Sequence, residues 1–202
     1  STATHAPLSL EAISAGKHVF CEKPVSQNIA SIREVQLALA GTQLKYQVGF
    51  NRRFDHNFRT LYETVRSGKI GSPHVIKITS RDPEPPNPKY IGESGGMFLD
   101  MTIHDFDMVR YLSGCEVEEV STSAAVLVDP AIGEQGDVDT AVITMKLSNG
   151  SLAVIDNSRR AAYGYDQRAE VFGSTGMAAV SNDTPSTVVI STAEGISGEK
   201  PL

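Results

Sequence analysis

The segment His18-Val19-Phe20-Cys21-Glu22-Lys23-Pro24 decides how the first part of this chain folds. Residues 18–21 form a short apolar run that is typical of a strand, and the Glu-Lys-Pro sequence ends it, because proline lacks a backbone N–H. Helical spacing precedes the run over 8–15 and follows it over 29–40, and a second apolar run covers 46–50. This alternation predicts parallel strands joined by crossover helices.

The rest of the chain predicts a second domain of mixed structure. Helical spacing covers 54–66 and 97–112, and a strand over 75–80 and a proline-rich loop lie between these helices. Further strands are predicted over 117–128, 140–147, 152–158, 168–172, 177–180 and 188–191.

Turn signals separate several of these strands. Asn149-Gly150 is a strong hairpin signal because both residues tolerate positive φ, and 174–176 predicts a second tight turn. We therefore expect a βαβ unit at 1–49. An α+β domain at 50–202, with a large, mainly antiparallel, open sheet, is expected to follow it.

Composition and charge narrow the classes of function. The 202 residues carry a net charge of −6 and no run of Lys or Arg, so nucleic acid is not an expected partner, because phosphate binding needs a basic surface. No apolar stretch approaches the roughly 20 residues that cross a bilayer, so a membrane role is not expected either. Cys21 and Cys115 fit neither a disulfide framework nor a metal ligand set, which favours reduced thiols in a cytoplasmic protein.

The helix predicted over 97–112 carries a candidate acid–base pair. Asp100 and His104 are four residues apart and project from one helical face. A carboxylate beside an imidazole orients the ring and raises its basicity, which suits a general base near neutral pH. A structural aspartate with a buried histidine, and a metal site, are the alternatives. A metal site needs more ligands, and no metal-binding signature accompanies Asp107 one turn later, so no metal is predicted.

Two polar segments follow the predicted strands of the βαβ unit. Lys23 would lie at the carboxyl edge of a parallel sheet, where α/β folds bind ligands and where an ammonium stabilises negative charge on a substrate oxygen. The alternative is a solvated lysine at a strand end. The Lys23–Pro24 bond is a candidate for the cis form. Arg52 and Arg53 are candidates to bind a polar ligand, although solvated arginines beside a helix capped by Asp55 are favoured by this segment alone.

These segments occur together in one family. Over essentially its whole length the chain resembles the glucose–fructose oxidoreductase and inositol dehydrogenase family (Gfo/Idh/MocA), and most of all its inositol 2-dehydrogenase branch. The resemblance rests on Gly16 to Pro24, Gly49 to Asp55, Gly95 to Asp107 and Tyr163 to Asp166. It implies that 1–49 is the α/β remnant of a Rossmann domain. It also implies NAD(P)-dependent oxidation of a secondary hydroxyl on a cyclitol or sugar.

The resemblance implies a catalytic set of three residues. Lys23 would contact the reacting oxygen and the nicotinamide ribose, and His104 would take the hydroxyl proton as hydride leaves the same carbon. Asp100 would position both the substrate and the imidazole. No metal is needed, because the histidine handles the proton and the cofactor handles the hydride.

Further residues receive roles in the same way. Arg53 and Tyr165 match positions that line a polyol pocket, and the loop at Arg81-Asp82 is another candidate for a substrate contact. The residues implied near NAD or NADP are Thr2, His5, Glu22 and Lys23. A cytoplasmic homodimer or homotetramer assembled through the open sheet is also implied.

One feature of the family has no counterpart in this sequence. Members begin with a strand, a glycine-rich turn and a helix whose amides hold the pyrophosphate, but no G-x-G-x-x-G occurs here. We therefore expect a fragment of a dehydrogenase, truncated at both ends, that binds a dinucleotide poorly by itself. The sequence does not distinguish NAD from NADP.

Two rival functions belong to other classes. One is a non-catalytic sugar-binding or sensor protein of the same fold, against which the retained Lys23, Asp100 and His104 argue. The other is a metal-dependent isomerase or aldolase that uses Asp100 and His104 as ligands. Within the dehydrogenase interpretation, myo-inositol is the first choice of substrate, followed by scyllo-inositol, glucose or another sugar.

Overall fold

The structure is a computed structural model that describes residues 2–184 and 188–198. It contains a small unit at residues 2–49, here called the N-terminal unit, and a larger unit at residues 50–184, here called the sheet domain. The predicted domain at 50–202 thus includes residues that lie outside the described ranges. Within those ranges, no helix has the length and apolar character needed to cross a bilayer.

The N-terminal unit alternates helices and strands as predicted. Its elements, after one 3-10 turn, are α1 (His5–Ser14), β1 (Val19–Glu22), α2 (Ile29–Leu39) and β2 (Tyr46–Gly49). β1 and β2 pair in parallel, which confirms the predicted βαβ arrangement. α2 begins after Asn28, whose side chain accepts a hydrogen bond from the Ala30 amide. The buried apolar side chains of this unit's core are Ala6, Ile13 and Val35.

The sheet domain is built on six strands. They are β3 (Pro73–Arg81), β4 (Val117–Ala125), β5 (Thr140–Leu147), β6 (Leu152–Ser158), β7 (Asp166–Gly173) and β8 (Met177–Val180). Their order is β4-β5-β6-β3-β7-β8, and only the central β3–β6 pair of this sheet is parallel. The prediction of a large, mainly antiparallel sheet is confirmed. Gly150 in the β5–β6 turn has a φ of +84°, as the hairpin signal requires.

Helices cover one face of this sheet. The helices of the domain are α3 (His56–Arg66), α4 (Pro88–Ser94), α5 (Ile103–Ser113) and α6 (Pro130–Glu134). α3 and α5 supply Phe58, Leu61, Met108 and Leu112 to a core whose sheet side includes the fully buried Ile155. The other face is open, and its exposed apolar side chains include Val142, Leu152, Phe172 and Met177. β9 (Val189–Thr192) and β10 (Gly195–Gly198) form a separate hairpin.

Two short helices lie where the sequence predicted none. α4 lies in the proline-rich segment, and α6 follows β4, which ends at Ala125 and not at residue 128. Each begins with a proline, whose missing N–H costs nothing in the first helical turn. The side chain before each proline, Asn87 or Asp129, caps the helix by accepting a backbone N–H. Proline therefore starts these helices, whereas the sequence interpretation placed a proline-rich loop at the first and extended a strand to residue 128 before the second.

The helix predicted over 97–112 consists of two elements. A π-helical segment, Phe98–Thr102, precedes α5, and its wider turn changes the angle between side chains that are four residues apart. The segment is entered through Gly95 and Gly96, both with positive φ, so the Met97 amide points at the Asp137 carboxylate at 2.9 and 3.1 Å. A Cβ at Gly96 would lie 2.8 Å from an Asp137 oxygen, so glycine is required for this close approach.

Candidate active site

A cavity of about 530 Å³ opens at the carboxyl ends of the parallel strands. β1 ends next to Lys23, whereas the parallel strands β3 and β6 end next to Asp82 and Arg159. β1 and the β3–β6 pair belong to two different sheets, and in each sheet the parallel strands end at one edge, which is where α/β folds bind ligands. The residues that line the cavity are Asn51, Arg52, Asp55, Phe58, Asp82, Asp100, Met101, His104, Arg159, Tyr165 and Gln167.

Lys23 joins the N-terminal unit to the sheet domain. Its Nζ donates to the backbone oxygen of Asp100 at 2.5 Å and lies 3.7 Å from Asp100 Oδ1. Burial lowers the pKa of this ammonium, although the Asp100 carboxylate opposes the shift. The Lys23–Pro24 peptide bond is cis, in agreement with the sequence interpretation. Lys23 thus places a proton donor beside a residue of the cavity wall.

Asp100 receives donors from three different elements. Besides Lys23, the Tyr90 hydroxyl of α4 donates to Oδ1 at 2.9 Å. Two guanidinium nitrogens of Arg159 donate to Oδ2, each at 3.2 Å. Both carboxylate oxygens of Asp100 therefore have partners, and the charged form of the side chain is well satisfied.

His104 lines the same cavity with an uncharged ring. Burial, together with the nearby cations of Lys23 and Arg52, lowers its pKa to about 3, and the Asp100 carboxylate only partly opposes this. The Phe50 ring meets the imidazole edge-on, with 6.5 Å between ring centroids. Its Nδ1 is buried and has no hydrogen-bond partner among the described residues. The imidazole is therefore a neutral base at physiological pH.

The relation between Asp100 and His104 differs from the one that their spacing predicted. No hydrogen bond joins the two side chains in the described part of the chain, because the Asp100 oxygens are taken by Lys23, Tyr90 and Arg159. The wider π-helical turn lies between the two residues. Asp100 and His104 share one cavity, but Asp100 holds the lysine and does not orient the imidazole.

The paired arginines point to different neighbours. Arg53 donates to both oxygens of Asp107, at 2.8 and 2.5 Å, and stacks over Tyr111, so it is not among the residues that line the cavity. Arg52 lines the cavity and forms an ion pair with the buried Asp105. The structure thus does not bring Arg53, which the resemblance implied for the polyol pocket, to this cavity. Adjacent residues on the 3-10 turn Asn51–Phe54 project in different directions, so the cavity receives Arg52.

Asp105 anchors Arg52 below the cavity. Its carboxylate is fully buried, and it accepts from Asn157 Nδ2 at 2.8 Å in addition to Arg52. Burial raises the pKa of Asp105, whereas Arg52 and Asn157 oppose the shift. Arg52 also donates to the Ser80 hydroxyl at 3.0 Å. This network fixes the guanidinium at the cavity wall.

Two further substrate positions that the resemblance implied, Tyr165 and the Arg81-Asp82 loop, are only partly brought to the cavity. Tyr165 lines the cavity, and so does Asp82 of the Arg81-Asp82 loop. Arg81 points elsewhere: it pairs with Asp156 and donates to the Tyr163 hydroxyl at 3.0 Å. Arg81 therefore has a role in holding the loop and is not among the cavity-lining residues.

The residues expected near the cofactor lie around the loop that carries Lys23. His5 Nδ1 is 2.8 Å from the Pro24 backbone oxygen, and His5 lines a groove of about 420 Å³ together with Glu22. Thr2 lines a second groove, of about 370 Å³, with Ser26 to Asn28 and Glu93. These side chains are thus gathered at the carboxyl end of β1.

Sequence reasoning missed Arg159 and Tyr90 as members of the site, and it named Arg52 only as one of two candidate arginines. Arg159 is only 3% exposed and belongs to the cavity wall, yet in the sequence it is one of two arginines that follow a strand. One sequence signal could have identified Arg159: it directly follows a strand, as Lys23 does. Using that signal would have required knowing that β6 pairs in parallel with β3.

The described residues contain no group of three or more His, Cys, Asp or Glu side chains placed to hold a metal ion. Their chemistry is that of proton transfer and charge stabilisation. A neutral imidazole can accept a proton from a hydroxyl, and an ammonium of lowered pKa can donate to an oxygen on which negative charge develops.

Two protein-family models match the chain. The model described as the GFO/IDH/MocA C-terminal domain matches residues 58–179. The model described as an oxidoreductase family with an NAD-binding Rossmann fold matches residues 1–50.

Among curated relatives, an uncharacterised oxidoreductase, YrbE, of Bacillus subtilis is 55% identical over 99% of this chain. A myo-inositol 2-dehydrogenase of Thermotoga maritima is 54% identical over all of it. The chain spans 59% and 60% of the lengths of these two relatives.

Solved structures give the same picture. A probable dehydrogenase from Thermotoga maritima has a TM-score of 0.97 and 54% identity, with 100% of this chain and 61% of that chain covered. A scyllo-inositol dehydrogenase from Lactobacillus casei, solved with NAD(H) and scyllo-inositol, has a TM-score of 0.88 and 33% identity. It too is covered over 61% of its length by the whole of this chain.

Proposed function

The chain belongs to the GFO/IDH/MocA oxidoreductase family, and on that premise we propose that the protein containing it is an NAD(P)-dependent dehydrogenase of an inositol-like cyclitol. The reaction is the oxidation of a secondary hydroxyl to a ketone. The observation that carries this proposal is the contact of the Lys23 ammonium with Asp100, a residue that lines the same cavity as the uncharged His104.

The residues of the chain divide the proton chemistry between them. The His104 imidazole, uncharged and on the cavity wall, accepts the hydroxyl proton of the substrate. The Lys23 ammonium donates a hydrogen bond to the same oxygen and stabilises its developing negative charge. Asp100 keeps the ammonium in place through its backbone and side-chain oxygens. The nicotinamide, when bound, accepts the hydride from the carbon that carries this oxygen.

The residues at the carboxyl end of β1 fit the nicotinamide end of a dinucleotide. Thr2 and His5 offer hydroxyl and imidazole groups in two grooves beside β1, and Lys23 offers an ammonium at the end of the same strand. Such donors suit ribose hydroxyls and a carboxamide. A glycine-rich loop for the pyrophosphate does not occur in this sequence. We propose NAD or NADP as the cofactor, with the chain supplying the contacts near its reactive ring.

The charges around the cavity favour an uncharged polyol. The cationic side chains that line the cavity are Arg52 and Arg159, and Lys23 lies beside them on Asp100. The anionic side chains that line it are Asp55, Asp82 and Asp100, and the buried Asp105 pairs with Arg52. Because each cation is paired with a carboxylate, no unpaired cation among them is left to bind a phosphate or carboxylate group of a substrate. Hydroxyl groups can both donate to the carboxylates and accept from the cations. The names of the relatives, which include myo-inositol and scyllo-inositol dehydrogenases, support a cyclitol.

Assembly and location are part of the same proposal. The open sheet face, with its exposed Val142, Leu152 and Phe172, is the surface through which we propose a homodimer or homotetramer forms. Both Cys21 and Cys115 are free thiols, which supports a reducing compartment, and the cytoplasm is proposed.

The proposed function is tested by His104→Ala in the full gene product that contains this chain. Loss of a general base lowers kcat by about 10²–10⁴-fold, so turnover of myo-inositol with NAD⁺ or NADP⁺ should fall by that factor. His56→Ala, which removes an exposed imidazole at 77% side-chain exposure, is the matched control and should keep the wild-type rate. Binding of inositol by the wild type without turnover of any polyol or sugar would instead indicate a non-catalytic sugar-binding protein.

A further inference from the structure

Resting on the proposed function, we propose that Arg159 is a positioning residue of the polyol site, which holds the Asp82 and Asp100 carboxylates in place on the cavity wall. The inference concerns a residue that follows β6 and that no sequence motif identified. It predicts that substrate affinity and the pH dependence of turnover both depend on this guanidinium.

The contacts of Arg159 link two separate elements. One guanidinium nitrogen lies 3.5 Å from Asp82 Oδ2, and two nitrogens lie 3.2 Å from Asp100 Oδ2. Asp82 follows β3, whereas Asp100 belongs to the π-helical segment. With 3% of its side chain exposed, Arg159 is held by this carboxylate–guanidinium–carboxylate bridge and not by solvent.

The backbone around Arg159 is fixed independently of its side chain. Its amide donates to the Asp139 backbone oxygen at 2.8 Å. The Asp82 amide donates to the Ser158 oxygen at 3.0 Å, and the Ala161 amide donates to the Asp82 oxygen at 2.6 Å. The loops that carry Asp82 and Arg159 are thus joined by main-chain hydrogen bonds. Removing the guanidinium should therefore move carboxylates more than it moves the backbone.

The two carboxylates have different supports apart from Arg159. Asp100 also has Lys23 and Tyr90, whereas Asp82 has no other side-chain partner among the described residues. Burial raises the pKa of Asp82, and the Arg159 cation is the main influence that opposes this. The charged and titratable groups that face these carboxylates from the surrounding elements are Lys23, Arg52, Tyr90, His104 and Arg159.

The consequence for the reaction follows from this arrangement. Asp82 Oδ1 has no partner among the described residues, and Asp82 lines the cavity, so it can accept a hydrogen bond from a substrate hydroxyl. Asp100 holds the Lys23 ammonium. Without Arg159, the Asp82 and Asp100 carboxylates would lose the cation that they share. Protonation of one of the two carboxylates would then be easier as the pH falls.

The test compares Arg159→Gln with Arg160→Gln in the full gene product. Arg160 is the adjacent, exposed arginine and forms no ion pair among the described residues, which makes it a matched control. Turnover of myo-inositol is measured as kcat and KM across a pH series, and inositol binding is measured by calorimetry at the same pH values. Thermal melting of each variant reports its folding.

For Arg159→Gln we expect kcat/KM to fall roughly tenfold to a hundredfold, the range for a lost hydrogen bond to a charged group, mostly through KM. The acid limb of its kcat/KM profile should move to higher pH. Arg159→Lys should restore the position of that limb, because it keeps the charge, but not the full affinity, because it lacks the two-nitrogen fork. Arg160→Gln should match the wild type in all these respects.

A purely structural Arg159 would lower the melting temperature without moving the acid limb, and that result would overturn the inference. Equal behaviour of Arg159→Gln and Arg160→Gln would do the same. If Arg159→Gln does not fold, Arg159→Lys serves as the test. A wild-type KM in Arg159→Lys would overturn the inference, because lysine cannot reproduce the two-nitrogen contact of the guanidinium. Failure of the proposed function shows separately, as absence of wild-type turnover, and calorimetry then still tests whether inositol binding depends on Arg159.

Discussion

The N-terminal unit and the sheet domain differ in the number of buried apolar side chains in their cores. Among the described residues, the core of the N-terminal unit has three buried apolar side chains, whereas the largest core cluster of the sheet domain has sixteen. Phe20 of β1 and Leu37 of α2 remain exposed in the N-terminal unit. Yet Lys23, the residue that reaches into the site, comes from the unit with the smaller core. Among the described residues, the site therefore combines a wall from the larger core cluster with one reactive group from the unit with the smaller one.

Polar contacts hold the two units together at the site. Lys23 donates to Asp100, and Gln27 Nε2 donates to the Glu93 backbone oxygen at 2.8 Å. Such contacts are directional but individually weak, since each is offset by lost hydration. The position of Lys23 thus depends on the fold of both units.

The largest expected effect comes from removing the reactive group that crosses between the units. Lys23→Met keeps most of the side-chain volume and removes the ammonium, and loss of a donor to the developing oxyanion should lower kcat about 10²–10³-fold. Steady-state kinetics of the full gene product check this. Lys17→Met, at an exposed lysine of the same unit, is the control. If Lys23→Met has the same kcat as Lys17→Met, the Lys23 ammonium takes no part in catalysis, and the proposed role of the N-terminal unit is contradicted.

The next effect tests the difference in packing directly. Ile155→Ala, at a fully buried position of the sheet domain, should cost about 2–5 kcal/mol of unfolding free energy, near the upper end. Ile13→Ala, in the small core of the N-terminal unit, should fall near the lower end when this 202-residue chain is unfolded by itself, because fewer of its residues surround the deleted atoms. Denaturant unfolding combined with hydrogen exchange measures both. Equal costs, or a larger cost for Ile13→Ala, would contradict the comparison.

The smallest effect concerns pH. The pKa of His104 is lowered to about 3 in the folded protein, while an unfolded histidine titrates near 6.5. The unfolded chain therefore binds the extra proton first, so this group's contribution to stability is complete above about pH 6.5 and is lost as pH falls towards 3.

His104→Asn removes this dependence. Between pH 7 and pH 5 the variant should lose less unfolding free energy than the wild type, by at most about 1.4 kcal/mol per pH unit, the slope for one proton. His56→Asn, at an exposed imidazole, should follow the wild type. Urea unfolding at the two pH values measures the difference, and an identical pH dependence in His104→Asn would contradict burial of a neutral ring.

The local structure of the N-terminal unit was predictable, because periodicity and turn residues act over short distances. Its β1 and β2 confirm the strands read from the apolar runs before Lys23 and Asn51. The presence of a large, mainly antiparallel sheet was predictable for the same reason. Its pairing order was not, because the parallel β3–β6 pair joins strands that are far apart in sequence, and that pair brings Arg159 beside Asp82.

The errors at the site have equally local causes. Arg52 and not Arg53 lines the cavity because adjacent residues on a 3-10 turn diverge, whereas the sequence pattern had predicted only a helix from residue 54. The contact expected between Asp100 and His104 assumed α-helical geometry, whereas a π-helical segment lies there. Helical periodicity does not reveal a wider turn, because the preference depends on packing and on the Asp137 contact at Met97.

The most direct test of the central claim follows the hydrogen on the reacting carbon. The full gene product is given myo-inositol deuterated at the carbon of the oxidised hydroxyl, together with NAD⁺ or NADP⁺, and the reduced nucleotide is examined by mass spectrometry. The account predicts that deuterium appears in the nicotinamide ring with the wild-type enzyme, and that His104→Ala slows this transfer by about 10²–10⁴-fold. Release of deuterium to water, or no transfer from any polyol, would contradict a hydride-transferring site built on Lys23, Asp100 and His104.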